Sequence, residues 1–216
     1  MTKVTPPKVS IALPTGALMA GSLRLLARAG LARLGAAEVG RQLLVDRAGV
    51  RVILVRPADV PAYVDHGSAD LGIVGKDILW ETPGAHYELV DLRFGGCRMV
   101  FAVPLASKLD GPETWPPQLR VATKYPRTAS AWFEARGQSV EVVQLRGSVE
   151  LAPQVGLVDA IVDLTATGRT LKENRLRIAA TLGESTARLI ANQASLKTRT
   201  AAVQAAVGRL REAVGE

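Results

Sequence analysis

Asp159-Ala160-Ile161-Val162-Asp163-Leu164-Thr165-Ala166-Thr167-Gly168-Arg169-Thr170-Leu171-Lys172-Glu173-Asn174 is the stretch on which the reading of the fold turns. Ala160, Ile161 and Val162 are an apolar run suited to a strand buried on both faces. Thr165, Thr167, Gly168 and Thr170 make a small, hydroxyl-rich turn, after which Leu171-Lys172-Glu173 starts a helix. Strand, loop and helix in that order are the repeating unit of an α/β protein. The loop also aims unpaired backbone N–H groups at one spot, where the positive end of a helix dipole holds a phosphate. Gly168 lets the backbone approach an anion with no Cβ in the way, and Arg169 adds planar donors. Asp163, at the strand end, suits sugar hydroxyls or a divalent ion that accompanies phosphates. The plainer alternative is an ordinary strand-to-helix turn, with Thr170 as cap and the other threonines in water. The stretch lacks the Lys-Ser/Thr ending of a P-loop and the three-glycine spacing of a dinucleotide fingerprint.

The rest of the chain is compatible with that unit. Its 216 residues suffice for one large domain or two small ones. With 48% hydrophobic and 4% aromatic residues, the core should consist of Val, Leu, Ile and Ala, as buried parallel strands require. A single cysteine, Cys97, excludes an internal disulfide, and Met1 to Pro7 has no signal-peptide core. A soluble, cytoplasmic protein is expected. The formal charge of +7 is spread along the chain rather than gathered in a basic stripe with aromatics, which speaks against nucleic acid. A diffuse excess suits a site that steers small polyanions, or reflects nothing more than an arginine-rich proteome.

Two further strand–glycine–helix corners are legible. Val9 to Leu13 is a strand ended by Pro14-Thr15-Gly16, followed by a helix with Leu18, Leu25, Leu26 and Ala29 on one face and Gly30 as its stop. Leu71 to Val74 is a second strand, with Gly75-Lys76-Asp77 after it. Between them, Gln42–Val45 and Val50–Val55 read as strands about a turn at 46–49, and the second ends at Arg56. An arginine at the C-terminal end of a strand tends to face the ligand crevice of an open α/β sheet; the alternative is a surface pair with Asp59, which is expected to cap a helix to His66. His66 is placed at the surface, and neither histidine has partners at metal-ligand spacing. Strands Tyr87–Leu92 and Arg98–Val103 flank a break at Gly95-Gly96. The segment from Pro104 to Pro117 reads as a linker into a second unit with strands Arg120–Thr123 and Val140–Gln144, a helix Thr128–Arg136, and a helix after Ser148. Strands Arg177–Leu182 and Arg188–Ala191 follow, then one amphipathic helix from Leu196 to Val214 with Lys197, Arg199, Arg209 and Arg211 outside. Alternating strands and helices predict mostly parallel sheets.

The Asp159–Asn174 stretch resembles the phosphoribosyl-pyrophosphate loop of the ATP phosphoribosyltransferases. Other blocks resemble that family in the same order: Ala69–Asp77, Gly96–Val100, Val121–Pro126 and Gly147–Pro153. The resemblance implies a two-lobed, periplasmic-binding-protein-like α/β architecture with a cleft. Residues 1–102 would form lobe I, 103–182 lobe II with the loop, and 183–216 would return to lobe I. It implies transfer of phosphoribose from phosphoribosyl pyrophosphate to nitrogen 1 of the adenine of ATP, the step that opens histidine biosynthesis. Phosphoribosyl pyrophosphate would be bound by Asp163, Thr165, Ala166, Thr167, Gly168, Arg169 and Thr170; ATP by Leu13, Gly16, Arg24, Gly75 and Lys76. Arg56 would be catalytic, stabilising the departing pyrophosphate. Mg2+ would come with the substrate rather than through protein ligands.

One departure stands out: the family usually has Lys-Gly-Arg after the first-strand proline, where this chain has Thr15-Gly16-Ala17. Two cations are missing, to be supplied by residues such as Arg24 or Lys76, or not at all. The chain ends where the family's long form continues, so it resembles the short form. That form works with a separate regulatory subunit similar to a histidyl-tRNA synthetase, as a homodimer within a hetero-octamer. Two rivals remain at this level: a periplasmic-type ligand-binding module, disfavoured by the absent signal peptide, and a non-catalytic cytoplasmic regulatory module of the same bilobal fold.

Overall fold

Every residue of strand β1 (Val9–Pro14) is buried, as a strand covered on both faces must be. Its parallel neighbours are β3 (Val50–Val55) and β4 (Leu71–Gly75), in register Pro14 opposite Val55 and Ala12 opposite Gly72. The structure is a computed structural model that describes residues 8–35, 39, 42–47, 49–109 and 111–215. The chain divides into two compact units, residues 1–95 with 186–216, and residues 96–185.

Unit 1 is built on a six-stranded sheet in the order β2-β3-β1-β4-β11-β5, with β2 Leu44–Arg47, β5 Tyr87–Asp91 and β11 Ala187–Ala191. Helix α1 (Met19–Arg28) lays Leu25 and Leu26 against one face and is followed by Gly30, whose φ of 63° only glycine adopts readily. Helices α2 (Val60–Asp65) and α3 (Lys76–Glu81) complete its first part. Unit 2 has a five-stranded sheet in the order β10-β6-β9-β7-β8: β6 Cys97–Pro104, β7 Leu119–Thr123, β8 Val140–Gln144, β9 Ala160–Thr165 and β10 Leu176–Ser185. Helix α4 (Pro126–Glu134) covers one face through Phe133, and the short α5 (Arg169–Glu173) follows β9.

The sheets are mixed rather than mostly parallel. Among the described residues four strand pairings are parallel and five antiparallel. Strand–helix alternation gave the parallel cores β3-β1-β4 and β9-β7-β8. The antiparallel additions are the hairpin β2–β3, whose connection is too short for a parallel crossover, and the long-range pairings of β6 with β9 and β10 and of β11 with β4 and β5. The unit boundary also falls earlier than 102, because β6 pairs with β9 and β10 in the second sheet. The crossing is at Gly95-Gly96. Pro104–Pro117 therefore lies within unit 2, where Trp115 stacks edge-on against Phe101 and Phe133.

Smaller expectations shift too. Strand β2 starts two residues later than expected and continues to Arg47, because Asp46 binds the Arg51 guanidinium at 2.9 Å across the hairpin; Ala48 lies outside the described residues. Asp59 occupies the cap position of α2 without a side-chain cap bond, and only a single 3-10 turn, Val149–Leu151, follows Ser148. The last helix is two, α6 (Gln193–Thr198) and α7 (Thr200–Val214), broken at Arg199. Arg199 does not point outward: its Nη1 lies 2.7 Å from Oδ2 of the buried Asp70. Ser10 and Ser195 also donate to that carboxylate, at 2.7–2.8 Å, so one charge ties β1, the start of β4, α6 and α7 together. No helix among the described residues is long and apolar enough to cross a membrane.

Candidate functional site

Unit 2 gathers its chemistry where the parallel strands β8, β7 and β9 end. Thr123 pairs with both Gln144 and Val162, so the residues after each strand reach the same edge: Lys124, then Arg146 to Glu150, then Thr165 to Thr170. There the quoted loop walls a cavity of about 200 Å³ lined by Glu150, Asp163, Leu164, Thr165, Ala166, Thr167, Arg169, Thr170 and Leu171. The loop is shaped by its own hydroxyls. Gly168 N–H donates to Thr165 Oγ1 at 2.8 Å, and Lys172 N–H closes the first helical turn on the Gly168 carbonyl at 3.0 Å. Gly168, not Thr170, sits at the cap of α5, with φ of 77°. A Cβ added there meets nothing within 4 Å, so the glycine answers a backbone requirement rather than a lack of room.

Burial pushes the Asp163 carboxyl above its ordinary value; the Leu164 N–H and Lys124 pull the other way, while Glu150 adds to the rise. Two carboxylates thus line the cavity, with the Lys124 cation close enough to act on one of them. Lys124 is exposed and carries no hydrogen bond or ion pair among the described residues. Arg169 is paired with Glu173 at 2.8 Å on an open surface, so its charge is partly spoken for. At the opposite end of β9, Asp159 binds Arg120 at 3.2 Å, a structural clamp. Glu150 and Lys124 were absent from the expected site. Both lie in blocks that resembled the family, and the missing signal was spatial, since 26 and 39 residues separate Lys124 from Glu150 and Asp163.

Unit 1 offers a second edge of the same construction. The parallel register brings the ends of β3, β1 and β4 side by side, with Arg56, Thr15-Gly16 and Gly75-Lys76 as the residues that follow; Thr15 N–H donates to the Val55 carbonyl at 2.8 Å. Gly16 has φ of 81° and open space where a Cβ would be, whereas Leu13 is fully buried beneath it. The Arg56 guanidinium is exposed and makes no hydrogen bond or ion pair among the described residues, with Asp59 or any other carboxylate. Lys76 is engaged by Glu88, which Arg188 also approaches at 3.5 Å, while Arg188 binds Asp91 at 3.1 Å. Arg24 lines a different cavity, beside Arg28, Arg93 and Phe94. Of the five residues expected around ATP, the structure thus groups Gly16, Gly75 and Lys76 over Leu13, and Arg24 stands apart. Among the described residues no cluster of three or more His, Cys, Asp or Glu could cage a metal ion.

The sequence profile of the ATP phosphoribosyltransferase family (HisG) matches residues 56–212. An ATP phosphoribosyltransferase of Rubrobacter xylanophilus is 50% identical over 210 residues, which is 95% of this chain and 97% of that protein. Among solved structures, the ATP phosphoribosyl transferase (HisG:HisZ) complex from Thermotoga maritima is similar with a TM-score of 0.81 at 33% identity, covering 95% of this chain and 97% of that one. The periplasmic aliphatic sulphonate binding protein SsuA from Escherichia coli has a TM-score of 0.62 at 15% identity, covering 97% of this chain and 69% of that one; this is a likeness of fold alone. The α/β architecture is the periplasmic-binding-protein-like one that the resemblance implied.

Proposed function

This chain belongs to the ATP phosphoribosyltransferase family, and from that premise we propose that the edge of unit 2 binds phosphoribosyl pyrophosphate and the edge of unit 1 binds ATP. The enzyme condenses the two to N1-(5-phosphoribosyl)-ATP and pyrophosphate, the opening step of histidine biosynthesis. Adenine N1 forms the bond to the anomeric carbon as the bond from that carbon to pyrophosphate breaks, and the electron pair leaves with pyrophosphate. No nucleophilic side chain is needed. The protein's share is to orient two polyanions and to stabilise charge growing on the leaving group.

The observation that carries this reading is the cavity in which Thr165, Thr167 and Thr170 face Asp163 and Glu150. The hydroxyls and loop amides hold the 5-phosphate, and the two carboxylates accept hydrogen bonds from the ribose hydroxyls. Lys124 neutralises the same edge. Arg56, exposed and unpaired, stabilises the departing pyrophosphate. At the unit 1 edge, Leu13, Gly16, Gly75 and Lys76 receive ATP, with Lys76 exchanging Glu88 for a phosphate.

The pair Asp163 and Glu150 also fits a divalent ion arriving on the substrate: loss of solvent, with Glu150 nearby, holds the Asp163 carboxyl above its ordinary value despite Lys124, and two hard oxygen donors suit Mg2+. Bound there, the ion would neutralise pyrophosphate oxygens. The reading extends to a cytoplasmic location and to a regulatory subunit of the HisZ kind, the latter supported by the Thermotoga complex. A homodimer within a hetero-octamer is the assembly proposed.

Calorimetric titration with phosphoribosyl pyrophosphate tests the loop. A φ of 77° costs a branched residue roughly 1–2 kcal/mol; where that strain is met only as the loop closes on its ligand, Gly168→Val should bind roughly five- to thirtyfold more weakly, while Gly168→Asn, which tolerates that conformation, stays near the parent. Unchanged affinity in the Val variant would remove the loop from the site.

A further inference from the structure

The cavity that Arg24 lines has no part in the chemistry above, and it is built with care. It encloses about 200 Å³ among Gly21, Arg24, Leu25, Arg28, Leu92, Arg93, Phe94 and Val214, all in unit 1. Three guanidinium-bearing residues line it and no carboxylate does. Gly21, Arg24 and Arg28 stand at i, i+3 and i+7, hence on one face of α1. Arg24 has no hydrogen bond or ion pair among the described residues, and Arg28 donates to the Ala213 carbonyl near the end of α7.

The opposite wall is held in an unusual backbone conformation. Arg93 has φ of 56°, a region that a long side chain enters only when its surroundings impose it. Its N–H donates to Asp91 Oδ1 at 2.9 Å, which fixes the bend. The next residue, Phe94, presses its ring so closely on Gly21 that a Cβ there would sit 2.5 Å from ring carbons. Leu25 and Leu92 are buried beneath. The result is an apolar, aromatic floor under a cationic rim.

We propose that this pocket is an auxiliary anion site that takes a small planar organic carboxylate, with its ring on Phe94 and its charge on Arg24 and Arg28. The volume, the room of roughly seven waters, admits a one-ring acid and excludes a nucleotide. Floor and rim together select for a ligand that is apolar at one end and anionic at the other, since an inorganic anion leaves Phe94 unused and a neutral ring leaves the Arg24 guanidinium without a counter-charge. The site is independent of the assignments made above for ATP and phosphoribosyl pyrophosphate.

Backbone-amide NMR of the full chain, titrated with benzoate against chloride at matched ionic strength, tests it. Saturable shifts are expected at Gly21 and at Arg93 to Gly95, with benzamide, the neutral isostere, at least about tenfold weaker. Arg24→Gln and Arg28→Gln should each weaken benzoate about tenfold or more, and Arg24→Lys should recover part of the loss. Because Arg24 is exposed, its variants keep the fold, which the unshifted remainder of the spectrum checks. The proposal falls if no saturable shift appears at those amides, if benzamide binds as well as benzoate, or if both Gln variants bind like the parent.

Discussion

Asp163 shows how one residue couples stability to function. Its folded carboxyl titrates above the ordinary 3.8, chiefly because the half-buried group is desolvated. In the window between that value and the raised one, the folded state holds more protons than the unfolded state, so stability falls as pH rises through the window. Below it the group contributes nothing; above it the folded chain carries a buried charge without full compensation. Asp163→Asn should therefore raise the melting temperature at neutral pH and leave it unchanged at low pH, by about 2–4 °C for each kcal/mol relieved in a chain of this size. Thermal unfolding across pH decides it: a variant less stable than the parent at pH 7 would show that the carboxylate is better satisfied than its burial indicates.

Arg56 makes the opposite case, a charge kept in water and kept free. If it acts on pyrophosphate as that group departs, Arg56→Ala should slow the chemical step by roughly a hundredfold or more while changing substrate affinity little. Single-turnover kinetics within twofold of the parent would reassign it to the surface, where a lone arginine contributes almost nothing.

At the scale of elements, the joints carry the argument. The break between α6 and α7 exists because Arg199 turns its side chain back to Asp70, a carboxylate that is only 2% exposed and also serves Ser10 and Ser195. One partner removed leaves the others facing an unmet charge or donor. Asp70→Ala should cost about 3–5 kcal/mol, and urea unfolding should show the loss as a lower midpoint at an unchanged slope. A loss below about 1 kcal/mol, the size of an exposed pair, would mean that solvent replaces the carboxylate. This joint was not legible in the chain, where the spacing of Leu196, Val203, Val207 and Leu210 reads as one continuous helix. Nothing in that spacing reports a partner more than a hundred residues away.

For the molecule as a whole, a net charge of +7 meets two polyanionic substrates. Steering of this kind weakens as salt shortens the reach of the field to about 8 Å at physiological ionic strength. The value of kcat/KM for either substrate should therefore fall as salt is raised, while kcat at saturation changes much less. A kcat/KM indifferent to salt would confine the excess charge to surfaces with no bearing on binding.

What the sequence determined by itself is whatever local chemistry enforces. The runs Val9–Leu13 and Ala160–Val162 had to be strands buried on both faces, Gly30 had to end a helix, and Thr165 to Thr170 had to make a hydroxyl-rich turn. Order along the chain then fixed the α/β class and the parallel cores. Tertiary structure alone decided the long-range antiparallel strands that flank those cores, since each pairs with a strand more than fifty residues away in the chain. It likewise brought Lys124 and Glu150 to Asp163, turned Arg199 inward to Asp70, and moved Arg24 away from Gly16 into a cavity with Phe94. Each of these depends on neighbours distant in sequence, and a side chain's charge and size say nothing of where its partners will stand until the sheets have set their positions.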